Sequence, residues 1–223
     1  MPWTEEQIAQ RVAQDVEPTW VINLGIGLPT QVARHIDAPG VLVHSENGIL
    51  GMGPPASEAD ADPDLVDAGK NAVTVVPGAA FMDTLVSFTL IRGGRLDLSV
   101  MGGYQVSARG DLANWRLPDR RVGGIGGAAD LAVGSKRVWV AMKHVTKTGE
   151  AKLVPECTYP LTAKGIVSRI YSDLAVLELD RDGGFAYIVE LAPGVARTDL
   201  EEASAITLKD SASLEADLMS RAQ

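Results

Sequence analysis

The sequence predicts an α/β fold: an open, mainly parallel sheet flanked by helices, with a C-terminal β-hairpin. Three observations carry this. Apolar runs alternate with helix-like patterns, and several are continuous where one-sided strands would alternate in and out, as in strands covered on both faces. Small residues gather where these runs stop, which is the ligand-binding rim of an open α/β sheet. Near the end, two extended runs flank Asp182-Gly183-Gly184, a hairpin turn signature.

The chain starts with a helix. Thr4 and Gln7 have the T-x-x-Q capping-box spacing, Trp3 and Ile8 are placed as a hydrophobic staple, and Ile8, Val12 and Val16 recur every four residues. The strand-like runs that follow are "WVINL" (20–24), "VLVH" (41–44), "AVTVV" (72–76), "LDLSVM" (96–101) and "RVWVAM" (137–142). Between them "FMDTLVSFTLIRGG" has apolar residues at Phe81, Met82, Leu85 and Phe88 and stops at Gly93, predicting a core helix with a glycine cap. Residues 53–70, with three prolines and the acids Glu58, Asp60, Asp62, Asp64 and Asp67, read as an acidic surface loop without EF-hand spacing. Residues 198–222 read as a short terminal helix. At 223 residues and 46% hydrophobic content the whole of 1–223 is taken as one domain.

Composition excludes several classes of function. The net charge of −9 disfavours nucleic acid as a partner, although backbone amides can still hold a small anion. No run approaches the ~18 apolar residues of a membrane span, and the start lacks a secretory layout, so a cytoplasmic protein is expected. A single cysteine, Cys157, rules out an internal disulfide framework and reads as an inert thiol; no Cys/His cluster has zinc spacing, so no metal is expected. There is no G-x-S-x-G elbow, no H-E-x-x-H and no Walker loop, since Gly69-Lys70 lacks the preceding glycine and the following Ser or Thr. Of the three histidines, His35 and His144 read as ordinary polar residues, and His44 points to the opposite strand face from Ser45.

The candidate chemistry lies at the strand ends. "VINL" ends in Gly25-Ile26-Gly27-Leu28-Pro29-Thr30, "VLVH" in Ser45-Glu46-Asn47-Gly48, "VTVV" in Pro77-Gly78 and "LSVM" in Gly102-Gly103. Gly25 and Gly27 are compatible with a tight turn and, with Thr30 in place of a third glycine, are not a dinucleotide fingerprint. "GGIGGAADL" (123–131) has four glycines in five residues, which suits either a linker or a wall of backbone N–H groups for an anion or oxyanion. Glu46 is a carboxylate at a strand end among glycines, either a structural hydrogen-bond acceptor or a reactive group.

With these residues collected, the sequence resembles the family I CoA-transferases, specifically the B (beta) subunit of 3-oxoacid CoA-transferases. "NLGIGLPT", "HSENGILGMGP", "IRGG", "GDLANW", "GIGGAADL", "KTGE", "PLT" and "SDLAV" occur in the family's order over nearly the whole chain. The resemblance implies a CoA-transferase-like fold and Glu46 as nucleophile: its carboxylate attacks the acyl-CoA thioester, an acyl-glutamyl anhydride and CoA thiolate form, and the returning thiolate gives a glutamyl-CoA thioester. It also implies oxyanion donation at Gly127, with Gly124 and Gly126 shaping the approach. Gly25 and Gly27 are expected on the opposite wall, and Asn47 and Gln105 among the substrate contacts. No cofactor is implied beyond coenzyme A thioester as substrate, and a separate A (alpha) subunit of the CoA-transferase is the expected partner. A glutamate of reference pKa about 4.3 displacing a thiolate of about 8.5 faces a mismatch on the order of 6 kcal/mol, which oxyanion donors and remote binding energy must offset.

Ala129, Arg95 and Lys143 depart from the family's usual residues. The downstream segments "KLVPECTYPLT" and "SRIYSDLAVLE" look more like the branch acting on 3-oxoadipate than that acting on acetoacetate, with succinyl-CoA as donor for either. Two other readings are an acyl-CoA hydrolase on the same site, which would consume acyl-CoA without an acceptor, and a non-catalytic ligand-sensing subunit of the same fold, which would respond to ligand without Glu46.

Overall fold

The computed structural model describes residues 1–118 and 124–212. They fall into two compact units, each assembled from separated stretches: the first lies within Met1–Ile8, Gly103–Ile125 and Trp139–Gln223, the second comprises Ala9–Gly102 and Gly126–Val138. Composition gives no sign of this division, because the chain passes from one unit to the other and back.

Helix α1 (Glu5–Gln14) opens the chain, and the expected capping box is present: Thr4 N–H donates to Gln7 Oε1 at 2.8 Å and Gln7 N–H to Thr4 Oγ1 at 3.2 Å. Trp3 and Ile8, the two staple positions, are both buried.

In the second unit, strands β1 (Val21–Leu24), β2 (Leu42–Ser45) and β5 (Leu98–Met101) form a parallel set with β1 in the middle. Their continuous apolar runs are explained by burial: Ile22, Leu98 and Val100 are fully enclosed. Two further strands, β3 (Ile49–Pro55) and β4 (Val73–Phe81), add antiparallel beside β2, giving the order β5-β1-β2-β3-β4. This corrects the sequence reading at two points. Strand β3 has no expected counterpart, and "VTVV" does not end at Pro77-Gly78 but continues to Phe81. Proline lacks the N–H that a central strand must donate, yet β4 is the last strand of this order, where proline is tolerated.

Helix α2 (Thr84–Arg92) closes at Gly93 as expected, and its N-terminus is capped by Asp83 Oδ1, which accepts from Val86 N–H. Its packing differs from expectation. Leu85 is 80% and Val86 47% exposed, whereas Ser87 and Ile91 are fully buried. Apolar residues surround this helix on all sides, so periodicity selects no face, and tertiary contacts place the hydroxyl inward. A 3-10 helix (Leu28–Arg34) follows β1, and α3 (Ala128–Gly134) packs against α2 so closely that a β-carbon on Gly134 would lie 2.4 Å from the Ile91 carbonyl oxygen.

Strand β8 (Val138–Met142) is buried along its whole length. In the first unit it precedes β10 (Val167–Ser172), β11 (Ala175–Asp180), β12 (Phe185–Leu191) and β13 (Leu208–Asp210), in the order β13-β12-β11-β10-β8. The expected hairpin is β11–β12, antiparallel, with Gly184 at φ +70° and its N–H on Asp180 O at 2.8 Å. Three short strands, β6 (Gln105–Ser107), β7 (Leu112–Ala113) and β9 (Leu153–Val154), form a separate sheet in the order β7-β6-β9. The expected terminal helix is shorter than read: α4 (Arg197–Ala203) ends before β13, which pairs parallel to β12, and 213–223 lie outside the described residues.

Candidate active site

The carboxyl ends of β1, β2 and β5 are neighbours because the three strands are parallel, so Gly25, Glu46 and Gly102, each just past a strand end, share one rim. Gly25 N–H continues the ladder by donating to Val100 O at 2.8 Å, and a β-carbon there would lie 3.2 Å from that oxygen. Gly27 has φ +93° with open space around it, so its left-handed backbone is what selects glycine.

Glu46 is half-buried in the turn joining β2 to β3. Gly48 N–H donates to Ser45 O at 2.9 Å and Gly48 O accepts from Met82 N–H at 2.9 Å, pinning the turn to the start of α2. Gly48 has φ +121°, and a β-carbon there would lie 2.0 Å from Met82 O, so both backbone and space demand glycine. The Glu46 carboxylate accepts from Asn23 Nδ2 at 3.2 Å through Oε2; Oε1 has no hydrogen-bond partner among the described residues. The Glu46 backbone oxygen accepts from Ser87 Oγ at 2.9 Å, and Ser87 Oγ is in turn 2.9 Å from His44 Nε2.

Asn23, His44 and Ser87 are the polar residues that sequence reasoning missed as parts of this site. Asn23 and Ser87 interrupt apolar runs, His44 ends one, and all three are buried. Burial alone lowers the His44 pKa to about 4, so the imidazole is neutral at pH 7.

Gly127, the N-terminal cap of α3, faces the same carboxylate: a β-carbon on it would lie 3.5 Å from Glu46 Cγ and 3.1 Å from Phe88 Cζ. Gly126 has φ +56°, and both it and Gly124 are exposed with open space where a β-carbon would point. Gly123 lies outside the described residues. Asn47 is exposed, and its Nδ2 donates to Val66 O at 2.7 Å, tying the end of the acidic loop to the turn. Gln105 belongs to the first unit, where its Oε1 accepts from Thr158 N–H at 2.8 Å and Tyr159 N–H at 3.1 Å beside a cavity of about 200 Å³.

Of the remaining residues named from the sequence, Arg95 is exposed, Lys143 approaches Asp173 at 3.6 Å, and His144 is buried between Ser172 Oγ (2.9 Å) and Ser204 Oγ (2.8 Å). Burial pushes the Cys157 thiol up to about 11. Among the described residues no group of three or more His, Cys, Asp or Glu side chains is placed to hold a metal ion, and no helix is long and apolar enough to cross a membrane.

The family model for coenzyme A transferase matches residues 5–203, and the chain belongs to that family. It is 49% identical over 203 residues to the B subunit of 3-oxoadipate CoA-transferase from Pseudomonas putida strain KT2440, covering 91% of this chain and 94% of that protein. It is 45% identical over 197 residues to the B subunit of succinyl-CoA:3-ketoacid coenzyme A transferase from Helicobacter pylori strain 26695, covering 88% and 94%. An acyl-CoA transferase of Escherichia coli O157:H7, solved as a thioester complex with CoA, shares the fold at a TM-score of 0.70 and 20% identity over 94% of this chain, which spans 42% of the length of that one.

Proposed function

We propose that this chain is the B subunit of a 3-oxoacid CoA-transferase, moving CoA from succinyl-CoA to a 3-oxo acid in the cytoplasm, together with a separate A subunit. The supporting observation is Glu46, which stands at the carboxyl end of adjacent parallel strands with Oε2 held by Asn23 and Oε1 unengaged among the described residues, facing a glycine. Two B subunits are among its relatives, one named for 3-oxoadipate and one for 3-ketoacids. 3-Oxoadipate is our first choice of acceptor.

In this reading Glu46 Oε1 attacks the thioester carbonyl carbon, the C–S bond breaks and CoA thiolate leaves, giving a mixed anhydride. The thiolate then attacks the glutamyl carbonyl carbon and the bond from that carbon to the bridging oxygen breaks, releasing succinate with that oxygen and leaving CoA as a thioester on Glu46. The acceptor acid reverses both steps, so no metal or redox cofactor takes part. Glycine at 127 leaves room for the thioester beside the carboxylate, and the open surfaces at Gly126 and Gly27 suit a long pantetheine arm. Keeping the anhydride from water requires a cover. The unit that holds Glu46 leaves Ile26, Phe81, Leu85 and Val133 exposed at 65–80%, which suits burial by a partner protein.

The test is to mix the chain with its A subunit and succinyl-CoA, reduce with borohydride and map the altered residue by mass spectrometry. Reduction at Glu46, and loss of exchange in Glu46→Gln, are expected. Steady loss of succinyl-CoA without acceptor would make the protein a hydrolase, and undiminished exchange in Glu46→Gln would remove the nucleophile.

A further inference from the structure

We propose that His44 and Ser87 form a positioning relay for Glu46, in which the imidazole holds the Ser87 hydroxyl so that its one proton fixes the Glu46 carbonyl oxygen. The inference rests on the reading of Glu46 as nucleophile and goes beyond it by assigning two residues that do not touch substrate.

Proton accounting leaves one arrangement. A carbonyl oxygen only accepts, so the Ser87 proton lies on the 2.9 Å bond to Glu46 O. Ser87 Oγ then has only lone pairs to offer His44, so the hydrogen on the 2.9 Å contact between them belongs to His44 Nε2. This sets the tautomer: Nδ1 is bare and faces Asn23 Nδ2 at 3.4 Å. The two hydrogens of Asn23 Nδ2 therefore meet three acceptors, His44 O at 3.1 Å, Glu46 Oε2 at 3.2 Å and His44 Nδ1 at 3.4 Å. The same imidazole thus borders both the backbone anchor and the side-chain anchor of Glu46.

The packing is what this role requires. Asn23 and His44 are register partners on β1 and β2, so their side chains share a face, and α2 is turned to bring Ser87 against it. Turning the helix this way buries a hydroxyl and leaves Leu85 and Val86 outside, a local violation of the hydrophobic rule of the kind found at functional sites. The hydroxyl is not needed by the helix itself, whose first turn is capped by Asp83 and in which Ser87 N–H already donates to Asp83 O at 3.0 Å.

The chemistry gives the anchor its use. As Glu46 passes from carboxylate to anhydride to thioester, its side chain loses its charge and the Asn23 contact weakens. The bond from Ser87 to the backbone oxygen is untouched by that change, so it holds the turn in every intermediate.

The full chain, labelled with ¹⁵N-histidine, is expected to show His44 as the Nε2–H tautomer in long-range ¹H–¹⁵N spectra, with Ser87→Ala releasing that signature; an Nδ1–H tautomer would overturn the relay. In the assembled enzyme, Ser87→Ala and His44→Leu should lower kcat about 10- to 100-fold, with KM for succinyl-CoA within about twofold. His44→Gln, whose amide N–H can reach Ser87 from the Nε2 position, should recover much of the loss relative to His44→Leu at matched thermal midpoints. Equal impairment of the Gln and Leu variants at matched midpoints, or an unchanged kcat in Ser87→Ala, would overturn the proposal. An inactive Glu46→Gln alongside a fully active Ser87→Ala removes the relay alone, whereas an active Glu46→Gln removes the nucleophile on which it rests.

Discussion

Gly127 faces Glu46 across a gap that a single methyl group would fill, its virtual β-carbon standing 3.5 Å from Glu46 Cγ. The residue has φ −75°, a conformation open to alanine, so backbone strain does not explain glycine here. Gly127→Ala should therefore fold, with stability changed by less than about 1 kcal/mol as the Phe88 ring shifts slightly. Its kcat/KM for succinyl-CoA should fall at least about tenfold, because the methyl group stands where the thioester approaches. Melting curves and steady-state exchange on one preparation check both halves.

Gly48 tests the opposite situation. At φ +121°, with Met82 O only 2.0 Å from a virtual β-carbon, an alanine can be accommodated neither by its own backbone nor by its neighbour. Gly48→Ala should destabilise by about 3 kcal/mol or more, measured by urea unfolding, and abolish exchange by displacing the turn that carries Glu46.

The buried histidines set the acid limb of stability. His44 and His144, in separate units, both have pKa values depressed to about 4, chiefly by burial. In the unfolded chain each binds a proton near pH 6.5, so between pH 6.5 and about 4 the unfolded state holds more protons than the folded one, and stability falls as pH falls. Above pH 6.5 neither contributes a slope. The full loss is on the order of 3 kcal/mol per histidine, and urea midpoints measured from pH 7.5 to 4.5 should show it, with a shallower slope in His144→Gln.

The capping box gives a smaller effect of known origin. Thr4→Ala leaves Gln7 N–H without its acceptor and should cost about 1 kcal/mol, while Thr4→Ser should retain most of the stability. Denaturant unfolding of the two variants side by side separates them.

The features legible in the sequence are those made by residues close together along the chain. The Thr4–Gln7 box, the Gly93 cap of α2 and the Asp182-Gly183-Gly184 turn depend on spacings of a few residues, which the backbone geometry fixes in advance. Strands β1, β2, β5 and β8 are legible because burial on both faces requires continuous apolar runs. Strand β3 was hidden, since Gly51, Gly53, Pro54 and Pro55 carry turn chemistry and are held extended by pairing with β4.

Local patterning was enough to specify the class of fold and the carboxylate at its rim, because an acid directly after a buried strand and just before a glycine is a feature of neighbouring residues. How that acid is held emerges only on assembly. Asn23, His44 and Ser87 lie 21 and 43 residues apart in successive contacts, and each is an ordinary polar residue in its own segment. Parallel pairing puts the first two on one face, and the packing of α2, which no periodicity of its own apolar residues specifies, brings the third against them. Hydrogen bonds among residues so distant in the chain exist only once the strands and helix have come together, because the loops between them set no orientation of their own.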